Sequence, residues 1–224
     1  MRGLFITGTD TGVGKTYVGC QLIEAWVALG QAVSPRKPVE SGCALKNGEL
    51  WPADGALLFQ AAGGEEALHE VTPLRFAHAL APDRAAKLVG ETVTLEQLTA
   101  ICTQPCRGLR IVEGAGGLLS PLASDALNAD LAKALALPVL LVAPDRLGVI
   151  NHVMLNLEVL DLRGLNTLGV VLNRIDALGS PALPEGIDNL SDLRSRVDLP
   201  IWTLEGGAAN SAQQIAQEVL QRLY

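Results

Sequence analysis

A short stretch near the start of the sequence has the residue types of a phosphate-binding loop. Residues 8–16 read Gly-Thr-Asp-Thr-Gly-Val-Gly-Lys-Thr and follow the apolar run Leu4-Phe5-Ile6. A buried strand that ends in a glycine-rich turn and opens a helix points several backbone N–H groups at one spot, where the helix dipole favours anions. We therefore predict that this stretch binds a phosphate chain, with Lys15 on the outer phosphates and the Thr16 hydroxyl on the accompanying Mg²⁺.

The spacing within this loop departs from the standard pattern. Five residues separate Gly8 from Gly14, so Thr9 stands at the place of the first glycine, whereas the pattern has four. The Gly-Lys-Thr end is the strong part of the signal. The alternative is a chance glycine-rich turn, and the agreement of strand, loop and helix contexts argues against it.

Three further polar residues follow predicted strands or begin a predicted helix, namely Lys37, Asp54 and Glu113. Magnesium in phosphoryl transfer prefers hard oxygen ligands, of which a protein usually provides only a few. We therefore predict that Thr16, Asp54 and Glu113 hold Mg²⁺. A second ammonium group, on Lys37, would neutralise charge that develops on the transferred phosphoryl group. The alternatives are solvated carboxylates for the two acids and a surface lysine for Lys37.

Strand and helix patterns alternate along the chain. We predict strands at residues 2–7, 31–35, 108–112, 138–143 and 167–172 and around Ile201, and helices at residues 15–29, from Asp54 onward, and at 94–103, 128–137, 150–162, 189–196 and 212–223. Residues 36–42, 43–52 and 175–188 are interpreted as loops, and residues 63–90 resist assignment. This alternation predicts an α/β fold: a single domain over residues 1–224 with a doubly wound, mostly parallel sheet flanked by helices. Ligands of such sheets bind beyond the carboxyl ends of the strands.

The composition narrows the class of partner. A formal charge of −7 argues against a nucleic-acid or anionic-membrane surface and favours a small molecule. Residues 1–7 read as part of the fold rather than as a signal peptide, and no apolar run is long enough to span a membrane, so we expect a cytoplasmic protein. The four cysteines, Cys20, Cys43, Cys102 and Cys106, are expected to be reduced, since a Cys-x-x-x-Cys pair alone is a weak metal signal.

Four blocks together give a more specific indication. They are Gly-Thr-Asp-Thr-x-Val-Gly-Lys-Thr at 8–16, Lys-Pro-Val-x-Ser-Gly at 37–42, Val-Glu-Gly-Ala-Gly-Gly at 112–117 and Leu-Gly-x-Ile-Asn-His at 147–152. In this order and spacing they resemble the dethiobiotin synthetase family. The resemblance implies a P-loop NTPase-like fold and an ATP-dependent cyclo-ligase that converts 7,8-diaminononanoate, CO₂ and MgATP to dethiobiotin, ADP and phosphate in biotin synthesis.

The resemblance also implies roles for individual residues. Lys37 and Lys15 would be catalytic, with Lys37 and Ser41 at the reacting carbamate. The adenine would be read by Asn173 and walled by the segment Pro200, Ile201 and Trp202. The nucleotide phosphates and their metal would be contacted by Thr11, Gly12, Val13, Gly14, Lys15, Thr16, Asp54 and Glu113. The substrate carboxylate would be bound, across a homodimer interface, by Gly148, Val149, Ile150 and Asn151.

The sequence departs from the family pattern at one place, and two other protein classes are alternatives to this family. Many family members carry Ser-Pro-His where this chain has Ala81-Pro82-Asp83. A partitioning or site-selection ATPase would have a similar loop but an additional lysine near its start, where Asp10 stands here. A cobyrinate-type amidotransferase-coupled synthase would need a glutaminase domain, for which 224 residues leave no room.

Overall fold

The computed structural model describes residues 2–174, 183–206 and 209–224, with side chains at 209 and 210 left aside. Within these ranges the strands are β1 Gly3–Gly8, β2 Val33–Arg36, β3 Val39–Ser41, β4 Ala44–Lys46, β5 Glu49–Trp51, β6 Leu74–Phe76, β7 Leu109–Gly117, β8 Pro121–Ala123, β9 Ala126–Leu127, β10 Val139–Pro144, β11 Thr167–Arg174 and β12 Ile201–Glu205. The helices are α1 Lys15–Ala28, α2 Ala53–Ala61, α3 Leu68–Val71, α4 Pro82–Leu88, α5 Leu95–Thr103, α6 Asn128–Leu135, α7 Val149–Leu162, α8 Asn189–Arg194 and α9 Ala209–Arg222.

The central element is a six-stranded sheet in the order β12-β11-β10-β1-β7-β2, and every neighbouring pair in it is parallel. All six strands therefore point their carboxyl ends at the same edge. This confirms the predicted doubly wound parallel sheet flanked by helices. The strand β1, which leads into the phosphate loop, lies between β7 and β10 near the middle of the sheet.

Hydrophobic side chains cover both faces of the sheet. On one face, Leu4 and Ile6 of β1 pack with residues of α1 and α9, and the Trp26 indole donates a hydrogen bond to Ala216 O at 2.8 Å. On the other face, Phe5 belongs to a cluster with α5 and α6, and Leu141 of β10 packs with α7 and α8. The alternation of Leu4, Phe5 and Ile6 between faces is the period of a strand buried on both sides.

The strand β2 forms one edge of the sheet, and groups of the same chain occupy part of its outer side. Pro35, in the middle of the strand, has no N–H, and its carbonyl oxygen accepts a hydrogen bond from the Arg36 guanidinium at 2.8 Å. Just past the strand, Lys37 N donates to Val71 O at 2.9 Å. Proline at this position is tolerated because an edge strand needs hydrogen bonds on one side only.

Two segments differ from the sequence-based expectation. Residues 43–52, interpreted as a loop, contain the antiparallel hairpin β4–β5, whose turn places Asn47 and Gly48 at φ +53° and +85°. Residues 36–42 were expected to be a loop, but β3 within them pairs in parallel with β6. The unassigned stretch 63–90 contains α3, β6 and α4. The predicted loop at residues 175–188 lies partly outside the described residues, since 175–182 are not among them.

The remaining sequence expectations concern thiols and membrane spans. Cys20, Cys43, Cys102 and Cys106 are free thiols in the structure. Burial raises the pKa of both Cys20 and Cys102 to about 12, which keeps these thiols protonated. Over the ranges that the structure covers, no helix has the length and apolar character needed to cross a bilayer.

Candidate active site

The phosphate loop joins the end of β1 to the start of α1 in a conformation that requires its glycines. Gly12 and Gly14 have φ values of +74° and +90°, in the left-handed region that side chains disfavour. A Cβ on Gly8 would lie 2.6 Å from Val13 Cγ2. Since the N-cap residue of α1 is Gly14, it brings no capping side chain to the first N–H groups of the helix. The loop therefore presents backbone donors at a helix N-terminus, which is an arrangement that binds phosphate.

The ammonium group of Lys15 lies inside this loop and is largely desolvated. Its ammonium donates to Asp10 O at 3.0 Å, and the residue is only 7% exposed. Burial lowers the pKa of Lys15 to about 8; Glu113 acts in the opposite direction, and the ammonium of Lys37 adds to the lowering. A buried ammonium that is incompletely compensated gains most from an incoming anion.

Lys37 lies at the centre of a buried ion cluster on the same edge of the sheet. Its ammonium is 2.5 Å from Glu113 Oε1 and 3.0 Å from Asp54 Oδ2. The Thr16 hydroxyl donates to the same Glu113 oxygen at 2.9 Å. Burial disfavours the charged form of Lys37, but the carboxylates of Glu113 and Asp54 outweigh it and raise the pKa of Lys37 above its ordinary value. The same contact with Lys37 outweighs burial at Asp54 and lowers its pKa.

Glu113 lies within a strand rather than after one. We predicted that the third strand would end at residue 112, but β7 continues to Gly117, and Glu113 is in register with Ile6 of β1. Sequence analysis did not select the residue that ties down this glycine segment, which is Asn128. Its amide oxygen accepts from Ala115 N at 3.0 Å, and its amide nitrogen donates to Gly117 O at 2.9 Å. A Cβ on Gly114 would lie 2.3 Å from Asn128 Oδ1, so the glycine there allows this contact.

The oxygen groups of this cluster fit a magnesium ion. Thr16 offers a hydroxyl, and Asp54 and Glu113 offer carboxylates, which are the hard ligands that Mg²⁺ prefers beside phosphate oxygens and water. Among the described residues, the buried Glu113 Oε2 has no hydrogen-bond partner. Buried carboxylate oxygens are normally satisfied, so an atom of this kind beside a phosphate loop is consistent with a site that a cation completes.

These residues line a cleft of about 350 Å³. Its walls include Lys15, Lys37, Ser41, Asp54 and Glu113, so the structure brings together the residues predicted for phosphate, metal and carbamate. The hydroxyl of Ser41 donates to Leu80 O at 2.6 Å. In the segment that departs from the family pattern, Asp83 forms an ion pair of 2.8 Å with Lys87 on the first turns of α4.

A larger cavity, of about 620 Å³, lies beside β2, and no residue of the phosphate loop lines it. Phe59, Glu66 and Arg107 are among the residues on its walls. Size alone would favour this cavity as the site. The buried lysines and carboxylates favour the smaller cleft, because perturbed titratable groups that converge on one cleft mark functional sites.

Asn173 lies where the predicted base site should be, at the carboxyl end of β11. Its amide nitrogen donates to Val13 O at 3.0 Å, and its buried Oδ1 has no partner among the described residues. The side chain is thus fixed against the phosphate loop with an acceptor oxygen left over.

Pro200, Ile201 and Trp202 do not lie beside Asn173. Ile201 and Trp202 pair with Val170 and Val171, at the beginning of β12, and the residue opposite Asn173 is Leu204. The Trp202 indole points to α9, where it donates to Glu218 at 2.7 Å. The register therefore places this segment at the start of β12, away from the carboxyl edge at which sheets of this kind bind ligands, and Leu204 is the residue level with Asn173.

Residues 148–151 form the beginning of α7, just beyond the carboxyl end of β10. Gly148 is the N-cap residue with φ +87°, Val149 is buried and Asn151 is exposed. The neighbouring Leu147 is 71% exposed. This segment lies at the same edge of the sheet as the phosphate loop, and its helix N-terminus has the chemistry to bind a carboxylate.

One residue in the cleft escaped the sequence analysis. Glu40, in the variable place of the block Lys-Pro-Val-x-Ser-Gly, is only 5% exposed, and both of its carboxylate oxygens accept backbone hydrogen bonds from the start of α2. No sequence pattern indicated this contact, because its partners are backbone groups 14 and 15 residues away.

Comparisons with known proteins identify the family of this chain. A family model described as an AAA domain matches residues 2–202. A protein from Anaeromyxobacter dehalogenans (strain 2CP-C), named ATP-dependent dethiobiotin synthetase BioD, is 41% identical over 100% of this chain and 99% of its own length. A protein of the same name from Caulobacter vibrioides (strain NA1000 / CB15N) is 41% identical over 83% of this chain and 84% of its own.

Among solved structures, the MinC:MinD cell division protein complex of Aquifex aeolicus contains a chain that aligns with a TM-score of 0.59, covering 100% of this chain and 96% of its own. The identity is 14%, so this likeness establishes the P-loop NTPase fold alone. The two named relatives are each 41% identical to this chain, against 14% for the solved structure. From these relatives and the four sequence blocks, we conclude that the chain belongs to the ATP-dependent dethiobiotin synthetase family.

Proposed function

We propose that this protein is an ATP-dependent dethiobiotin synthetase, a ligase that closes the cyclic urea of dethiobiotin from 7,8-diaminononanoate and CO₂. The observation that carries the proposal is the convergence of Lys15, Lys37, Asp54 and Glu113 on one phosphate loop. The substrates are inferred from the family to which the chain belongs.

The reaction needs charge stabilisation and alignment rather than a protein nucleophile. One amine of the substrate adds to CO₂ and loses a proton, which gives a carbamate. A carbamate oxygen then attacks the γ-phosphorus as ADP leaves. The second amine attacks the resulting mixed anhydride at carbon, displaces phosphate and loses a proton, which the departing phosphate can accept. Lys15 would bind the outer phosphates, and Lys37 and Ser41 would orient the carbamate; the proposal is supported by the common cleft that all three residues line.

A magnesium ion would be held by Thr16, Asp54 and Glu113 together with phosphate oxygens. It would supply neutralisation of the charge on the β- and γ-phosphates. The residues of the chain do the remaining work: the backbone N–H groups of the phosphate loop bind the phosphates, and Asn173 offers its free Oδ1 to the adenine amino group. Leu204, opposite Asn173 on β12, is proposed as the wall of the base site.

We extend the proposal to a homodimer that completes the substrate site. Exposed apolar side chains follow one stripe of α7 and its approach, namely Leu147, Met154, Leu155 and Leu162. Leu155 and Leu119 also line a cleft of about 410 Å³ beside Thr9 and Asp10 of the phosphate loop. A partner covering this stripe would bring its own residues 148–151 near the loop, where they could bind the substrate carboxylate.

A partitioning or site-selection ATPase is the alternative function for a protein with this fold. Such proteins carry a second lysine at the start of the loop, where this chain has Asp10. The terminal helix α9 buries Ala212, Ile215, Ala216 and Val219 against α1 and the sheet, so its apolar side serves packing. No observation favours this second function. Two sequence predictions, a single domain over residues 1–224 and a cytoplasmic location, remain proposals.

The test is an ADP-release assay in which the diamine and bicarbonate are omitted in turn. We expect ADP release to require both, since the acceptor of the phosphoryl group forms only from the two together. Release that is indifferent to the diamine would contradict the proposal. In the same assay, Lys37→Ala should abolish most turnover while ADP affinity changes little, and equal losses of both would contradict the role of Lys37 in the chemistry.

A further inference from the structure

The helix that carries Asp54 lacks a cap of its own. The N-cap residue of α2 is Pro52, whose side chain has no acceptor. An N-cap side chain normally accepts from the second or third N–H of the helix, and here these belong to Asp54 and Gly55. Without such an acceptor, the first turn of α2 would be held only by its packing.

Glu40 supplies the acceptors from another element. Its Oε1 accepts from Asp54 N at 3.0 Å and its Oε2 accepts from Gly55 N at 2.9 Å. Burial raises the pKa of Glu40, and the two backbone hydrogen bonds and the positive end of the helix dipole act against this rise. Because both oxygens are engaged, the position and the rotation of the first turn of α2 are both fixed.

The same turn is closely packed on its other side. A Cβ on Gly55 would lie 2.0 Å from Thr72 Oγ1 and 3.5 Å from Glu40 Oε2, so only glycine lets the turn approach both residues. The turn therefore lies between β3, which carries Glu40, and the segment that follows α3. The Asp54 carboxylate, which extends from this turn into the cleft, can reach Lys37 at 3.0 Å only while the turn stays in place.

We propose that Glu40 is a positioning residue that caps α2 from a distance and thereby sets the affinity of the site for a divalent cation through Asp54. This inference rests on the proposed role of Asp54 as a metal ligand. Groups that orient metal ligands typically change metal affinity 10-fold to 100-fold when they are replaced. Glu40 acts on the backbone of the ligand residue rather than on its side chain.

The test measures binding of Mn²⁺, used as a probe for Mg²⁺, to the protein–ADP complex by the electron paramagnetic resonance signal of free Mn²⁺. Glu40→Gln keeps the shape of the side chain but leaves one acceptor for two N–H groups. We expect Mn²⁺ affinity to fall about 10-fold, while ADP affinity in EDTA stays within about 2-fold of wild type. Unchanged Mn²⁺ affinity in the folded Glu40→Gln variant would overturn the inference.

Two controls separate positioning from general loss of stability. Thr94→Ala removes the cap of α5, where Thr94 Oγ1 accepts from Gln97 N at 3.2 Å, and should leave Mn²⁺ binding unchanged. Pro52→Ser in the Glu40→Gln background gives α2 a local cap, and it should restore most of the lost affinity, since Pro52 already has the extended backbone of an N-cap residue. Restored thermal stability without restored Mn²⁺ affinity would contradict the mechanism.

Asp54→Asn distinguishes this inference from the proposed function. If Asp54→Asn lowers Mn²⁺ affinity and Glu40→Gln does not, Asp54 is a ligand and the role of Glu40 is refuted. If neither variant matters, the metal assignment fails and the inference fails with it. Both results are independent of whether the diamine is the substrate, because the measurement uses ADP and Mn²⁺ alone.

Discussion

The lowered pKa of Lys15 predicts that ADP binding takes up a proton at alkaline pH. The pKa falls from 10.5 to about 8, which corresponds to about 3 kcal/mol of lost preference for the ammonium form. A phosphate group bound against this ammonium would restore the charged form. Lys15 should therefore be partly neutral in the free protein and protonated in the complex.

The size of the uptake follows from the pKa. With a pKa of about 8, roughly 0.8 of the Lys15 side chains are neutral at pH 8.5 and roughly 0.1 at pH 7. We expect an uptake of about 0.8 proton per ADP at pH 8.5 and about 0.1 at pH 7. Calorimetric titration in EDTA, in two buffers with different ionisation enthalpies, measures this number directly.

Lys15→Arg is the matched control, because arginine keeps its charge throughout this pH range. Its complex should form without proton uptake at either pH. The reasoning would be refuted by equal uptake at the two pH values, or by undiminished uptake in Lys15→Arg. In the free protein the sign of the linkage is also fixed: a folded-state pKa below the unfolded value penalises folding below pH 8, and this penalty disappears between about pH 8 and 10.5.

Three further predictions concern the base site, the core and the subunit interface. Asn173→Ala should weaken ADP binding about 10-fold, which corresponds to the loss of one hydrogen bond, and should reduce the ratio of ADP affinity to GDP affinity. If calorimetry shows an unchanged ratio, Asn173 does not contact the base. Gly169→Ala should lower the free energy of unfolding by about 1–3 kcal/mol, because the new Cβ would lie 2.5 Å from Trp202 Cζ3 and 2.6 Å from the backbone oxygen of Pro200; a denaturant titration with an unchanged midpoint would show that the indole and the backbone at Pro200 can both shift. Leu155→Glu places a charge on the apolar stripe of α7 and should shift the protein towards monomer in sedimentation velocity, and a wild-type protein that already sediments as a monomer would argue against the dimer.

The sheet and the ion cluster could be predicted because local signals and topology agree. Lys37 directly follows β2 and Glu113 lies within β7, and parallel strands end at one edge of the sheet, so the convergence of these two residues follows from the order of the strands. The hairpin β4–β5 could also have been predicted from the sequence, since Asn47 and Gly48 form the dipeptide that most favours a two-residue turn with both φ values positive. Its strands have only three residues each and are largely exposed, which explains why residues 43–52 were interpreted as a loop.

Other features depend on contacts between distant segments and carry no local signal. Glu40 caps a helix that begins at residue 53, and Asn128 holds a strand end from the start of α6. The position of Trp202 depends on pairing in the same way: Ile201, Trp202 and Leu204 are all apolar, and only pairing with β11 shows that Leu204 is the residue level with Asn173. The register between strands is set by the whole sheet. The sequence of one strand therefore does not show whether a family motif has been aligned two or three residues too early in it.

The partly occupied outer side of β2 has a consequence for behaviour at high protein concentration. An uncovered edge strand offers a template to which an extended segment of another molecule can add, and this is a common route to fibrous aggregates. Here Pro35 has no N–H to donate, and its carbonyl oxygen already accepts from Arg36. This part of the edge therefore offers few hydrogen bonds to an added segment. We expect association of this protein to proceed through side chains on helix surfaces rather than through growth of the sheet.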